Sequence, residues 1–457
     1  MSGKLRRVAI WIAAVLVAQQ AWSQPASLAN PEVYGALPTV ADVEIAPDGR
    51  WIASIRNDGK GALVAIHDLS LPGSPAAGLR LENVKPRSLA WASNDVLLVL
   101  ASQTIRGITT TGRQAMETWR WLAVSRKDMT SRMIFGHEPG YYVTSPGTLL
   151  SSAPGDKGSV VFSRWTSRRT IQDDSTLGSR LESKSSGGGL SLFAYDLGGG
   201  REQLLGLGNG NTDAWVVDAS GNAMLRIDRN GARAQVYARK EDGSGLALRG
   251  TIEAADGGMP SVQGRAATDG GLLATVEREG RVALAHFDLQ GGTAGEVLPG
   301  HARYDVSDVL YDPRVAAVSG VAYTDDLPRR NFLDPDLQHI QASIAAALPD
   351  AAPVLWSRAD KDKYVFKVEY TDHPPQWFIY DAGTKALDMF APSYEALDGK
   401  VHARKEKYDY TASDGLLIPG YLTVPAGASR QAMPLVVLPH GGPHARDDQA
   451  FDYWAFF

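Results

Sequence analysis

A short loop near residue 440 carries the residues that are best suited to chemistry. Leu435–Leu438 is a continuous apolar run, as expected of a strand buried on both faces of a sheet, and His440-Gly441-Gly442-Pro443 follows it almost directly. Glycines let the backbone approach a substrate carbonyl closely, so that backbone N–H groups can stabilise an oxyanion. The pattern therefore indicates acyl-transfer chemistry, and a plain glycine turn at a strand end is the alternative.

The nucleophile that such a loop would serve is not recognisable in the sequence. In α/β-hydrolases the serine lies in a Gly-x-Ser-x-Gly elbow, and the acid and the histidine follow it along the chain. The printed sequence contains no Gly-x-Ser-x-Gly. Ser220, Ser244 and Ser319 lie beside glycines, but in predicted turns or strands, and we interpret them as structural. We therefore assign no catalytic residue here and expect the triad to lie beyond the chain end.

Histidines and cysteines do not predict a metal site or a cofactor. His440 and His444 are four residues apart, but Pro443 separates them and the Glu of an H-E-x-x-H helix is missing. The chain has no cysteine, which excludes disulfides, thiolate metal sites and a cysteine nucleophile. Asp-rich turns such as Pro47-Asp48-Gly49 are interpreted as hairpins rather than calcium loops. We predict no metal and no cofactor.

The first residues have the pattern of a secretory signal. Residues 1–23 combine early cations, an apolar run over residues 8–18, and the small residues Ala21 and Ser23 of a cleavage site. The apolar run is shorter than the roughly 20 residues that span a bilayer, so an uncleaved anchor is the less favoured alternative. We predict a periplasmic or secreted protein with no stable membrane span after cleavage. The net charge of -5 argues against a nucleic-acid partner.

Residues 24–398 repeat one kind of unit, in which short apolar or alternating runs are separated by tight turns. In "VADVEIAPDGRWIASI" the Asp48-Gly49 pair lies between two such runs, which is a strong hairpin signal. Sets of three or four antiparallel strands predict a β-propeller of roughly seven blades of about 45–50 residues each. A pair of β-sandwiches is the alternative. A polar segment from Thr166 to Ser191 is predicted to be a loop, and residues 336–348 a helix capped by Asp336.

Residues 399–457 change in character and predict the start of a second, α/β domain. Strands are expected around Lys407–Thr411, Leu417–Val424 and Leu435–Leu438. The predicted fold class is thus mainly β: an N-terminal propeller followed by the first strands of an incomplete α/β-hydrolase domain.

The order of these parts resembles the prolyl oligopeptidase family of serine peptidases, nearest its dipeptidyl peptidase and acylaminoacyl peptidase branches. The resemblance covers essentially the whole mature chain and is strongest in "YTASDGLLIPGYLTVP" and "PLVVLPHGGPHARD". It implies that a propeller restricts access to peptides, and that His440, Gly441 and Gly442 line the oxyanion side of the pocket. We expect a fragment of an exported peptidase that is inactive alone. The alternative is a non-enzymatic propeller that binds a peptide or protein partner.

Overall fold

The computed structural model describes residues 30–457, apart from residues 72, 110–111, 137–145, 153–157, 167–187, 255–257, 290–293, 299, 401, 429 and 443–444. The predicted signal segment and most of the predicted polar loop lie outside these described residues. The described chain forms two compact units. The larger contains Leu37–Tyr370 and Pro375–Ser393, and the smaller contains the described residues up to Ala36, Thr371–Pro374 and Tyr394–Phe457.

The larger unit is built from sheets of consecutive antiparallel strands, which we call blades 1 to 7 in chain order. Blades 1 to 3 are formed by β1 (Val40–Ile45), β2 (Trp51–Asn57), β3 (Ala62–Asp68) and β4 (Ala77–Arg80); by β5 (Lys85–Trp91), β6 (Val96–Thr109), β7 (Gly112–Ser125) and β8 (Ser131–Met133); and by β9 (Thr148–Ser151), β10 (Ser159–Thr166), β11 (Gly189–Asp196) and β12 (Glu202–Gly206).

Blades 4 to 7 follow the same plan, although blade 6 has three strands among the described residues. They are formed by β13 (Thr212–Val217), β14 (Ala223–Asn230), β15 (Arg233–Arg239) and β16 (Leu246–Glu253); by β17 (Ser261–Arg265), β18 (Leu272–Arg278), β19 (Arg281–Phe287) and β20 (Ala294–Val297); by β21 (Asp308–Asp312), β22 (Ala317–Thr324) and β23 (Pro328–Phe332); and by β24 (Ala352–Arg358), β25 (Lys363–Glu369), β26 (Gln376–Asp381) and β27 (Ala386–Pro392).

The turn residues explain why these strands reverse where they do. Gly49 has φ +69° between β1 and β2, and Gly231 has φ +58° between β14 and β15. Side chains rarely adopt this left-handed region, so glycine at these positions fixes the hairpin and its register. The hairpin predicted at Asp48-Gly49 is confirmed.

The seven blades surround a common axis, with their first strands innermost. β1 contacts β5 on one side and β24 on the other, and β13 contacts both β9 and β17. A ring of sheets whose first strands meet in this way is a β-propeller with a central channel. The predicted propeller is confirmed, and the alternative of two β-sandwiches is wrong.

Blade 7 closes onto blade 1 by apolar packing and by hydrogen bonds between the two blades. No strand is shared between these two sheets, because blade 1 contains β1–β4 and blade 7 contains β24–β27. Val43 and Ile52 of blade 1 form one buried core with Val365 and Trp377 of blade 7. Trp377 is completely buried and donates its indole N–H to the Val40 carbonyl at 3.4 Å. Apolar burial at this seam therefore holds the ring closed.

A helix lies between blades 6 and 7. α1 (Pro335–Ala347) packs Leu337 and Ile344 into a core with Phe366 of blade 7. Its N-cap is Asp334, whose carboxylate accepts the N–H groups of residues 336 and 337, so the predicted cap at Asp336 is wrong by two residues. Proline favours the first helical turn, which places the cap directly before Pro335. In the described part of the chain, no helix is long and apolar enough to span a membrane.

The smaller unit contains a 3-10 helix (Pro31–Gly35), the hairpin β28 (Arg404–Thr411) and β29 (Leu417–Val424), and the short helix α2 (Tyr453–Phe456). The first two predicted strands are confirmed by this hairpin. The third is wrong, because residues 435–438 form no strand and their side chains are exposed. A strand needs a neighbour for its backbone groups, and the described sheet of this unit contains β28 and β29 alone.

We predict that Trp377→Ala lowers the free energy of unfolding by about 3–5 kcal/mol, since it empties a fully buried site at the blade 1–blade 7 seam. Urea denaturation followed by circular dichroism measures this loss. Trp165→Ala, at a position that is 53% exposed, is the control and should change it by no more than about 0.5 kcal/mol. Equal effects of the two substitutions would contradict closure by packing.

Candidate functional site

The predicted oxyanion loop lies on the surface of the smaller unit. His440, Gly441 and Gly442 are all exposed, and the His440 ring contacts the Gly441 carbonyl at 2.8 Å through Nδ1. A Cβ built on Gly441 would have no neighbour within 4 Å. The described residues therefore place open space where the resemblance implies a pocket wall, and the role of this loop remains a prediction.

An apolar surface precedes the loop. The side chains of Leu435, Val436 and Val437 are 75%, 76% and 73% exposed. Monomeric proteins rarely leave contiguous apolar runs in water, because burial of each such side chain is worth roughly 1.5–3 kcal/mol. The segment thus has the character of a buried strand without the burial.

Histidines of the smaller unit make contacts that fit structural roles. His402 is buried between the Tyr34 hydroxyl, at 2.9 Å from Nδ1, and the Leu397 carbonyl, at 2.8 Å from Nε2. Burial lowers the pKa of His402, which favours its neutral form. His373 lies 2.7 Å from Asp372 at the surface. Both ring nitrogens of His402 are thus engaged, so we do not assign it as a base for a serine.

A group of buried charged residues lies on and beside the inner strands of the larger unit. Asp42, on β1, is buried and accepts hydrogen bonds from the backbone N–H of Leu89 at 2.8 Å and from the indole N–H of Trp356 at 2.8 Å. A third bond comes from the N–H of Val43 at 2.9 Å. One carboxylate thus joins the inner strands of blades 1, 2 and 7.

Burial dominates the electrostatics of Asp42. It raises the pKa of Asp42 from its ordinary 3.8 to about 6, although the three hydrogen bonds and the positive charge of Lys367 favour the ionised form. Desolvation penalises a charged carboxylate, and the donors recover only part of that penalty.

Glu44 lies two residues further along the same strand face. Its carboxylate accepts a hydrogen bond from the Ser357 hydroxyl, which in turn accepts the N–H of Ile45 at 3.3 Å. Burial, and then the charge of Asp42, raise the pKa of Glu44 well above its ordinary value. Partial burial and the neighbouring Asp42 charge thus both favour the protonated form of Glu44.

Cations face the pair from blades 6 and 7. Arg330 stacks over the Trp356 ring at 4.7 Å and donates to the Leu355 carbonyl at 2.7 Å. Asp312 is paired with Arg314 at 3.2 Å and with Arg358 at 2.9 Å. Burial of Asp312 opposes ionisation, but the two guanidinium groups outweigh it and lower its pKa.

This inner cluster of Asp42, Glu44, Asp312 and their cations was not identified from the sequence. Asp42 and Glu44 alternate with Val43 and Ile45 in "VADVEI", and in a surface strand such acidic residues simply face water. The position of these residues in the predicted propeller could have indicated the cluster. The first strand of each blade faces the central channel, so its polar side chains face the channel and not bulk water.

A cavity of about 610 Å³ opens between blades 3 and 4, with Trp215, Arg226 and Arg239 in its lining. Arg226 is paired with Asp228 at 3.0 Å and Arg239 with Asp218 at 2.9 Å. Since both guanidinium groups already have carboxylate partners, we assign no chemistry to this cavity. Across the described ranges, no group of three His, Asp or Glu side chains could hold a metal ion.

The chain has a similar relative among curated proteins. It is 23% identical over 282 residues to dipeptidyl aminopeptidase BIII of Pseudoxanthomonas mexicana, and the match covers 57% of this chain and 39% of the relative. No protein-family model matches the chain.

Solved structures share the fold at lower identity. A prolyl endopeptidase matches with a TM-score of 0.52 at 12% identity, covering 94% of this chain and 61% of its own. A puromycin-hydrolysing peptidase of Mycobacterium tuberculosis matches with a TM-score of 0.55 at 14% identity, covering 95% and 67%. These matches support the resemblance to the prolyl oligopeptidase family. The chain spans about two fifths of the curated relative and about two thirds of these solved chains.

We predict a pH dependence of stability that requires Asp42. A raised folded-state pKa means that the native state holds a proton that the unfolded chain releases, so the contribution of Asp42 to stability falls as pH rises from about 4 to above 6. Each tenfold change in proton affinity is worth about 1.4 kcal/mol, so the total is about 3 kcal/mol. The free energy of unfolding of Asp42→Asn, minus that of the unsubstituted protein, should rise by about 2 kcal/mol between pH 4 and pH 7, because the unfolded Asp42 is already partly ionised at pH 4.

Urea titrations at both pH values measure this difference. Asp68→Asn is the control, because the Arg50 hydrogen bond lowers the pKa of Asp68 and the corresponding difference should not rise over this window. A flat or falling difference for Asp42→Asn would show that its carboxylate is not penalised by burial.

Proposed function

We propose that this chain is the propeller and oxyanion-side part of an exported serine peptidase of the prolyl oligopeptidase type, which hydrolyses peptides. The observation that carries the proposal is the joining of a seven-blade propeller to a segment with a His440-Gly441-Gly442 loop. Similar peptidase structures span both parts of the chain, covering 94% and 95% of it, which supports the reading.

In this proposal the propeller acts as a size filter. Its blades pack into one ring, and the seam between blades 7 and 1 is a dry apolar core. Such a ring does not open easily, so only an unfolded peptide enters its channel. The propeller would thereby spare folded proteins while it admits oligopeptides.

The loop supplies the electrostatic part of catalysis in this proposal. Backbone N–H groups beside Gly441 and Gly442 would bind the oxyanion, and removal of one such donor costs about 10²–10³ in rate. The serine, aspartate and histidine that act with it are not assigned to residues of this sequence. We therefore expect residues 1–457 alone to have no peptidase activity.

Export completes the proposal. Residues 1–23 have the order of a bacterial secretory signal, and the absence of cysteine is compatible with a fold that needs no disulfide. We propose a periplasmic or secreted location, where oligopeptides are the substrates at hand.

The test is to translate the coding DNA downstream of codon 457 in all three frames. We predict Gly-x-Ser-x-Gly followed by Asp and His, and a product that includes them should react with a fluorophosphonate probe and hydrolyse unstructured oligopeptides. Residues 1–457 alone should do neither.

Two results would contradict the proposal. Noncoding DNA downstream, together with specific peptide binding by residues 1–457, would favour the non-enzymatic propeller. Fluorophosphonate labelling of residues 1–457 would reveal a nucleophile within the printed sequence.

A further inference from the structure

One turn of the propeller reaches blades that are not its neighbours. It joins β21 to β22 in blade 6, and we call its residues 312–316 the plug turn. The equivalent turns of blades 1, 2 and 7 contact adjacent blades: Asp360 donates its N–H to the Pro47 carbonyl at 2.8 Å, and the Asn94 side chain accepts the N–H of Asp48 at 2.9 Å. The plug turn does more than this.

The plug turn contacts blade 3, which lies three places away in the ring. The carbonyl of Pro313 accepts the N–H of Ser152 at 2.9 Å. At the base of the turn, the Tyr311 hydroxyl donates to the Leu150 carbonyl at 2.8 Å. Both acceptor and donor groups of blade 3 belong to the end of its innermost strand, so the turn reaches the edge that faces the channel.

Blades 4 and 5 contact the same turn. Ala316 is 1% exposed and packs into a core with Trp215 and Val217 of blade 4. The Arg265 guanidinium of blade 5 donates to the Val315 carbonyl. The plug turn is therefore packed against blade 4 and hydrogen-bonded to blade 5, in addition to its contacts with blade 3.

Blade 7 holds the other side of the turn. Arg314 donates to the Arg358 carbonyl at 2.9 Å, and the Arg358 guanidinium donates to Asp312 at 2.9 Å. The charge of Arg314 also acts on Glu44 of blade 1. These ion pairs are mostly buried, so water screens them weakly.

A five-residue turn that contacts blades 3, 4, 5 and 7 has to cross the axis of the ring. We propose that the plug turn closes the central channel at this face of the propeller, and that the channel is a cup rather than a tunnel. In this proposal the open face is the opposite one, at the strand ends where the Val40 N–H bonds the Ser393 carbonyl at 3.2 Å.

A channel that is closed by the plug turn also restricts how a peptide can bind in it. This consequence rests on the proposed function. A peptide that enters the cup has to enter and leave by the same face. It is therefore held by one end or as a bend, and it is not threaded through the ring. The closure itself does not depend on what the ligand is.

A single introduced cysteine can test the closure, because the chain has no cysteine of its own. Ser152 is 2% exposed beneath the plug turn, and its hydroxyl has no hydrogen-bond partner, so Ser152→Cys changes little else. Ser393→Cys is the matched control: Ser393 is 3% exposed, its hydroxyl is equally unpartnered, and it lies at the open face.

Each cysteine is combined with Tyr311→Phe and Arg314→Ala, which remove the hydroxyl bond to blade 3 and the ion pair of the turn. The rate of reaction with a small maleimide is then measured. Loss of these contacts should make local opening easier, so Ser152→Cys should react about tenfold faster in the loosened protein and Ser393→Cys at an unchanged rate.

Three results would overturn the closure. These are fast labelling of Ser152→Cys with the plug intact, no acceleration when the plug is loosened, and equal acceleration at both cysteines, which would mean general destabilisation. If the plug behaves as predicted and the product with the downstream serine does not cleave peptides, the closed cup stands and the proposed function is wrong.

Discussion

The Asp42 carboxylate is the constraint on which the propeller depends. It lies at the meeting point of three inner strands and bonds a backbone N–H of blade 2, an indole of blade 7 and its own strand. Around it, the Trp356 and Trp377 rings contact edge to face at 5.5 Å. Blades 1 and 7 share no strand, so no backbone ladder fixes their relative orientation. Apolar packing is non-directional, whereas hydrogen bonds to one carboxylate are directional. The Asp42 carboxylate therefore fixes the orientation of these inner strands.

The same site explains why so many charges lie inside the ring. Burying an ionised carboxylate is unfavourable. At Asp42 and Glu44, hydrogen-bond donors offset part of this penalty and the pKa is raised, and at Asp312 the ion pairs with Arg314 and Arg358 offset it. These residues come from blades 1, 6 and 7, and they include the base of the plug turn. The elements that close the ring therefore also anchor the floor of the channel.

Local chemistry was readable from the sequence and long-range pairing was not. Asp48-Gly49 and Asn230-Gly231 fix their hairpins through the glycine conformation, so the hairpins follow from neighbouring residues, while the exact number of blades does not. The run Leu435–Leu438 has the composition of a buried strand, but strand formation needs a partner that composition does not specify. Asp42 and Pro313 meet partners far away in sequence, at Trp356 and Ser152, and no local pattern marks such contacts.

Native-state hydrogen exchange of the Leu89 amide tests the role of Asp42 most directly, since its N–H bonds Asp42 across the blade 1–blade 2 contact. We expect it to exchange only through global unfolding, with the same free energy as the Leu225 amide inside blade 4. Exchange of Leu89 at a clearly lower free energy than Leu225 would show that blades 1 and 2 separate locally, and that the Asp42 contact does not hold them together.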